Sequence, residues 1–197
     1  MKYFLFTLLV LFLPYFYFAE FIVPQNNTPM MAVTNSENYA YRYIVELYNV
    51  GDSLNLNREI TNFKALYPES VYLPYIKFIE GNLAMEANAY SQAIDIYKAL
   101  LEINLSQNVR SEIILNYAYC LTQLQQYDSA LQLLQRLETE TGNPVYLEQA
   151  NSLRGDIYFQ LGQYYSAEKA YQRAVKAFPD NETLRFSLFS TYLALEK

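Results

Sequence analysis

The chain has 197 residues, of which 14 are Lys or Arg and 20 are Asp or Glu, giving a formal charge of −6 with 17% charged content. An acidic balance without any basic run excludes an electrostatic grip on nucleic acid. A single cysteine, Cys120, and no histidine exclude an intramolecular disulfide and most zinc, haem and Ser-His-Asp chemistry.

In chain order, the first element is apolar: Lys2 is followed by Tyr3 to Ala19 without a charge, and Glu20 ends the run. A basic start and an apolar stretch fit a signal peptide, although Pro14 and Tyr17 make a poor small-x-small cleavage site before Ala19. Uncut, the run extends through Phe21, Ile22 and Val23 to barely bilayer length, so residues 1–23 read as a signal peptide or an N-terminal membrane anchor. Lys2 favours a cytoplasmic start and an outside body. Either way the rest of the chain is expected to be exported, periplasmic or cell-envelope associated, touching a membrane only through residues 3–23. A buried N-terminal helix sits poorly with a run that is apolar on every face, and no cysteine follows it to carry a lipid. Residues 24–36, PQNNTPMMAVTNS, carry two prolines, four amide side chains and no charge, and read as a linker.

From Glu37 the pattern turns helical, with helices predicted over 37–50, 53–66, 71–87, 90–103, 109–124, 127–140, 145–161, 164–177 and 181–195. Gly51-Asp52-Ser53 and Gly162-Gln163 fall between paired helices, whereas Tyr67-Pro68-Glu69-Ser70, Gly142-Asn143-Pro144 and Phe178-Pro179-Asp180-Asn181 separate successive pairs. A 37-residue period runs through these pieces: Gly81, Ala118 and Gly155 recur at that interval, as do Ala93, Ala130 and Ala167, and Tyr90, Tyr127 and Tyr164. Such self-similarity in a helical sequence means an all-α solenoid. The small residues place the two helices of each pair in close contact, and larger side chains would wedge them apart. Pro68 and Pro179 extend the register back to a first pair, 37–66, which has Ile44 and Leu56 at the small positions. Its two helices should therefore cross farther apart.

The segment LRGDIYFQLGQYYSAEKAYQRAVKAFPDN, with Gly155, Tyr158, Gly162, Tyr164, Ala167, Tyr171, Ala174 and Pro179, resembles the tetratricopeptide repeat signature. The unit before keeps Ala118, Tyr127, Ala130 and Leu134, and the one before that Gly81, Tyr90, Ala93 and Tyr97, so the resemblance covers 37–197. The 37-residue unit departs from the roughly 34 residues of the standard repeat. YPES at Tyr67 to Ser70 is similar to bacterial envelope repeat proteins such as the Tol-Pal-associated periplasmic protein and the barrel-assembly lipoprotein, although the second would need a lipidation cysteine.

The resemblance implies a right-handed superhelix of helix pairs at about 37–66, 71–103, 109–140 and 145–177 with a final helix at 181–195. It also implies recognition of a protein or peptide by the concave face, built from the first helix of each pair. Positions three before and one, four and five after the small residue point toward that groove: Phe78, Asn82, Met85 and Glu86, then Leu115, Tyr119, Thr122 and Gln123, then Ser152, Asp156, Phe159 and Gln160, with Tyr41 and Tyr48 from the first pair. The groove should be neutral to slightly acidic and aromatic-lined, without a basic clamp for a carboxylate terminus. On the last helix Leu184, Leu188 and Leu195 suffice for docking, yet Phe186, Phe189 and Leu193 add a second apolar face. That face either continues the groove, joins two copies into a homo-oligomer or receives a partner.

No phosphate loop, metal spacing, cofactor motif or nucleophile elbow is present, and the nearest carboxylate pairs, Glu138 with Glu140 and Asp180 with Glu182, sit at predicted helix ends. The sequence reads as a non-catalytic interaction scaffold without cofactor or metal. The alternative is a self-assembling or membrane-tethering element that uses its C-terminal helix.

Overall fold

The structure, a computed structural model, describes residues 35–196. The expected signal or anchor at 1–23, and 24–34 of the expected linker, lie outside the described residues. Within them the chain forms nine α-helices and no strand: α1 Asn35–Val50, α2 Ser53–Leu66, α3 Leu73–Glu86, α4 Tyr90–Leu101, α5 Gln107–Gln123, α6 Tyr127–Glu140, α7 Pro144–Gln160, α8 Tyr164–Ala177 and α9 Glu182–Leu195. No end departs by more than two residues from the span read in the sequence. No helix of the described residues is long and apolar enough to cross a membrane.

Three helices, α2, α7 and α9, start where a side-chain acceptor meets a free N–H group. Asp52 accepts from the Asn55 amide, Asn143 from the Val145 amide ahead of Pro144, and Asn181 from the Leu184 amide. Second helices carry narrow apolar stripes, Leu56, Ile60 and Phe63 on α2 and Ala130, Leu134 and Leu137 on α6. Beyond α1, the first helices are buried over a wider arc: α5 hides Ile113, Ile114, Leu115, Ala118, Cys120 and Leu121. The reason is position. Antiparallel partners pair as α1–α2, α3–α4, α5–α6 and α7–α8, while α3 touches α5, α5 touches α7, and α4, α6 and α8 each touch the first helix of the next pair. The first helices thus form a continuous inner row.

Each turn inside a pair repeats one backbone device. A residue in the left-handed region follows the first helix: Gly51 at φ 74, Asn88 at φ 59, Gln125 at φ 59 and Gly162 at φ 70, spaced by the repeat. The next amide reaches back five residues, Asp52 to Leu47, Ala89 to Ala84, Gln126 to Leu121 and Gln163 to Tyr158, at 2.8–3.0 Å. This satisfies carbonyls that a helix end otherwise leaves open.

The small residues pack against rings as well as against one another. Ala93, Ala118, Ala130 and Ala167 are fully buried. A methyl group on Gly81 would lie 2.8 Å from the Tyr97 ring, and one on Gly155 would lie 2.6 Å from the Tyr171 ring. The equivalent position in the third pair, opposite Ala118, holds Leu134. Glycine therefore faces tyrosine, and alanine faces leucine. In the first pair Ile44 and Leu56 are both buried, and α1 and α2 approach each other less extensively than the later pairs do. That pair joins α3 through side chains: Tyr41 stacks on Tyr72 at 4.3 Å, Asn38 donates to the Tyr72 hydroxyl, and Lys64 pairs with Glu80 at 2.5 Å.

Two stability outcomes follow from these contacts. Gln125→Gly relieves a left-handed side chain and is expected to stabilise by about 1 kcal/mol, raising the melting temperature. Gly155→Ala overfills the Tyr171 contact at a cost of about 1–3 kcal/mol, set against about 1 kcal/mol of helix propensity. Adding Tyr171→Leu, which copies the Ala118–Leu134 combination, should make the alanine better tolerated, seen as favourable coupling in a double-mutant melting cycle.

Candidate functional site

The inner row presents its residues at three depths. Tyr41, Tyr48, Phe78, Asn82, Leu115 and Thr122 are buried, Met85, Tyr119, Ser152, Asp156 and Phe159 are half-buried, and Glu86, Gln123 and Gln160 are exposed. Six of the fourteen positions read as groove-facing are thus part of its floor. Tyr41 is sunk by stacking on Tyr72, and Thr122 by donating to the Ala118 carbonyl at 2.9 Å. Phe78 lies 6.2 Å from the Tyr97 ring, centroid to centroid.

A hydroxyl from the second helix reaches this floor. Because Tyr97 lies across Gly81, its hydroxyl donates to Asn82 Oδ1 at 2.8 Å; because Tyr171 lies across Gly155, its hydroxyl donates to Asp156 Oδ1 at 2.5 Å. Leu134 has no hydroxyl, and the corresponding residue, Tyr119, keeps a half-buried ring on the inner row. Asn116, at a position where the neighbouring units carry Ile79 and Leu153, donates to the same Asn82 oxygen at 3.0 Å and links α5 to α3. Tyr48 donates to Glu86 at 2.9 Å, linking α1 to α3.

The recurring tyrosine that opens α4, α6 and α8 works along the groove edge. Tyr90 meets Tyr119 of the next pair edge-on at 6.3 Å, and Tyr127 donates to Gln160 of the next pair at 2.9 Å. Tyr164 contacts Phe159 of its own pair at 5.3 Å. Two of these rings are therefore held at the rim by contacts that cross between units, and the third by a contact within its own.

The electrostatics of this face are one-sided. Ion pairs among the described residues use Glu59, Glu80, Glu138 and Glu140. The rows facing inward carry no Lys or Arg. Burial pushes the Glu112 carboxyl up to about 7 and Asp156 up to about 6, the latter partly offset by the Tyr171 hydrogen bond. Burial also pushes Glu148 up to about 7. Burial is also what chiefly raises the tyrosines: Tyr146 reaches about 12, with Glu112 adding to it, and Tyr119 rises with Tyr90, then Cys120 and last Asp156 adding to burial. Glu112 escaped the sequence reading, which began its face three residues before the small position. It stands one turn earlier on that same face, in the column of Tyr75 and Gln149, and extending the helical stripe by a turn would have found it.

At the far end, α9 docks through Leu184, while Phe186 and Phe189 are each 56% exposed and Leu193 46%. Tyr192 joins this face at 40%. Cys120 is fully buried with its thiol pushed up to about 12 by burial, which makes it an interior packing residue.

A sequence model of the tetratricopeptide repeat-like domain matches residues 26–190. The small glutamine-rich tetratricopeptide repeat-containing protein 2 of Mycosarcoma maydis is 33% identical over 112 residues, covering 55% of this chain and 29% of that protein. The chain thus spans under a third of that relative's length. The first TPR of Spaghetti (RPAP3), solved bound to the HSP90 peptide SRMEEVD, is similar in fold with a TM-score of 0.56 at 22% identity, over 65% of this chain and 97% of that one. A tetratricopeptide repeat protein from Parabacteroides merdae superposes with a TM-score of 0.63 at 18% identity, over 83% of this chain and 61% of that one. The narrower likeness to the Tol-Pal-associated and barrel-assembly proteins gains no support from these comparisons.

The raised carboxyls set a pH dependence opposite to that of a salt-bridged acid. Their folded values, about 6 for Asp156 and about 7 for Glu112, lie above the ordinary 3.8 and 4.5, so the folded chain binds protons more tightly than the unfolded one. Stability should rise as pH falls from 8 to 5. Thermal melts across that range should show the rise, and Asp156→Asn combined with Glu112→Gln and Glu148→Gln should flatten it.

Proposed function

Because the chain belongs to the tetratricopeptide repeat-like domain family, we propose that it is a non-catalytic interaction scaffold that takes a protein or peptide segment in the concave row of α3, α5 and α7. The observation that carries this is the half-buried aromatic pair Tyr119 and Phe159, held at the groove rim by Tyr90 and Tyr164. Rings fixed by neighbours lose little freedom on binding, which is how an aromatic anchor converts burial into affinity. The related Spaghetti domain bound to an HSP90 peptide supports peptide recognition as the use of such a surface. The uncharged run from Tyr3 to Ala19 after Lys2 supports export or N-terminal anchoring, with the scaffold working at a cell envelope.

A second reading rests on α9, where Phe186, Phe189 and Leu193 form an exposed apolar face suited to self-assembly or tethering.

A photo-crosslinking amino acid placed at Gln123 on the groove, or at Phe189 on α9, separates the two readings in the full chain. Groove recognition is expected to give a crosslinked partner from Gln123 that is lost in Tyr119→Ala with Phe159→Ala. Crosslinks from Phe189 alone, or a crosslinked copy of the chain itself, would overturn it in favour of the end helix.

A further inference from the structure

The first helix keeps open a face that the later units close. Tyr39, Tyr43 and Val50 lie on one stripe of α1 and are 72%, 46% and 69% exposed. At the repeat interval Tyr39 corresponds to Ile76 of α3, Ile113 of α5 and Ala150 of α7, all fully buried. Tyr43 corresponds to Glu80, Tyr117 and Arg154, and these meet the second helix of the unit before. Glu80 pairs with Lys64 of α2, Tyr117 shares a cleft with Ile94 and Lys98 of α4, and Arg154 pairs with Glu138 of α6. The stripe is therefore where a first helix receives what precedes it in the chain. Among the described residues no helix precedes α1, and a terminal unit is expected to turn a polar face outward.

We propose that residues 26–34 of this chain cover that stripe, folding back along α1 as an N-terminal cap. The tetratricopeptide repeat-like sequence model begins its match at residue 26, nine residues before Asn35, so the pattern shared by the domain includes this segment. Its composition suits a stripe lined with rings. NNTPMMAVT has no charge and carries Met30, Met31, Ala32 and Val33 in succession, and methionine fills irregular gaps and packs favourably on aromatic rings.

The lengths also agree. Counting back from Asn35, an extended chain places Val33, Met31 and Pro29 on one side at roughly 7, 13 and 20 Å. Counting forward, the helical rise places Tyr39, Tyr43 and Val50 at roughly 6, 12 and 22 Å. Each apolar residue on that side of the segment thus falls opposite one residue of the stripe. A segment joined directly to the helix also outcompetes a free partner, because a short connection gives it a high effective concentration.

The cap bears on how the whole solenoid is held. With residues 26–34 on α1, the connection from the apolar run ending at Val23 to the first helix pair shortens to Pro24 and Gln25. In an anchored chain the groove then opens in a set direction, whatever segment it takes.

The test places a photo-crosslinking amino acid at Tyr43 in the full chain, and at Val50 in a second version. Crosslinks within the same molecule are expected, mapping by mass spectrometry to the neighbourhood of Met31 from Tyr43 and of Pro29 from Val50. They should be lost in Met31→Asp with Val33→Asp and kept in Met31→Leu. Both substituted positions precede α1, and an unchanged helical circular dichroism spectrum shows that the solenoid is intact. Met31→Asp should also lower the melting temperature of the otherwise unaltered chain but not of Tyr43→Ala, a coupling that only contact produces. Crosslinks to a second copy, to lipid or to another protein, no crosslink to residues 26–34, crosslinks that survive the double aspartate variant, or additive melting shifts would each overturn the cap. None of these outcomes touches groove recognition, which rests on Tyr119 and Phe159.

Discussion

The approach of two antiparallel helices, close enough that a glycine on one leaves space for a tyrosine ring on the other, governs most of what this chain does. At Gly81 and Gly155 even one methyl group would meet the ring of Tyr97 or Tyr171 at under 3 Å. The ring then lies across its neighbour and carries its hydroxyl to the far side, where it bonds Asn82 or Asp156. Packing between the two layers thus decides which polar atoms on the inner row are already engaged. The third unit keeps the shape with alanine and leucine but forgoes the hydroxyl, and its inner residue is the aromatic Tyr119. One substitution in the outer layer accompanies a different chemistry on the inner one.

Most of the framework could be read from the chain because it rests on periodic demands. Small residues at one interval, tyrosines at another, and glycine or proline at junctions each answer a local steric need, so helix ends fell within two residues of expectation. Depth was not legible in the same way. Tyr41 and Tyr119 are the same residue type on the same helical face, yet Tyr72 covers the first whereas the second meets Tyr90 only edge-on. What covers a groove position belongs to another helix, and its own sequence spacing cannot say. Asn88 and Gln125 were also missed as left-handed residues, since neither type advertises that conformation as glycine does at Gly51 and Gly162. Only the repeat interval identifies them.

Charge is sorted by layer. Arg110, Arg136 and Arg154 neutralise Glu138 and Glu140 around α6, and Lys64 does the same for Glu80 at the junction of the first two pairs. Cations are thereby committed to holding second helices and pairs together. The inner row is left with acids, amides and rings. A net charge of −6 is thus less informative than its distribution, because exposed acids are well solvated whereas those between first helices are not.

The turns at Gly51, Asn88, Gln125 and Gly162 close through the same main-chain hydrogen bonds and hold four different flanking sequences in one shape. A junction that depends so little on side chains is also a seam at which genes can be recombined. Unequal crossing-over in register would add or delete one whole unit without creating a new kind of boundary. Lengthening or shortening of this protein over evolutionary time should therefore proceed in steps of one repeat, with each newly copied unit free to diverge at its inner row while its corner stays as it was.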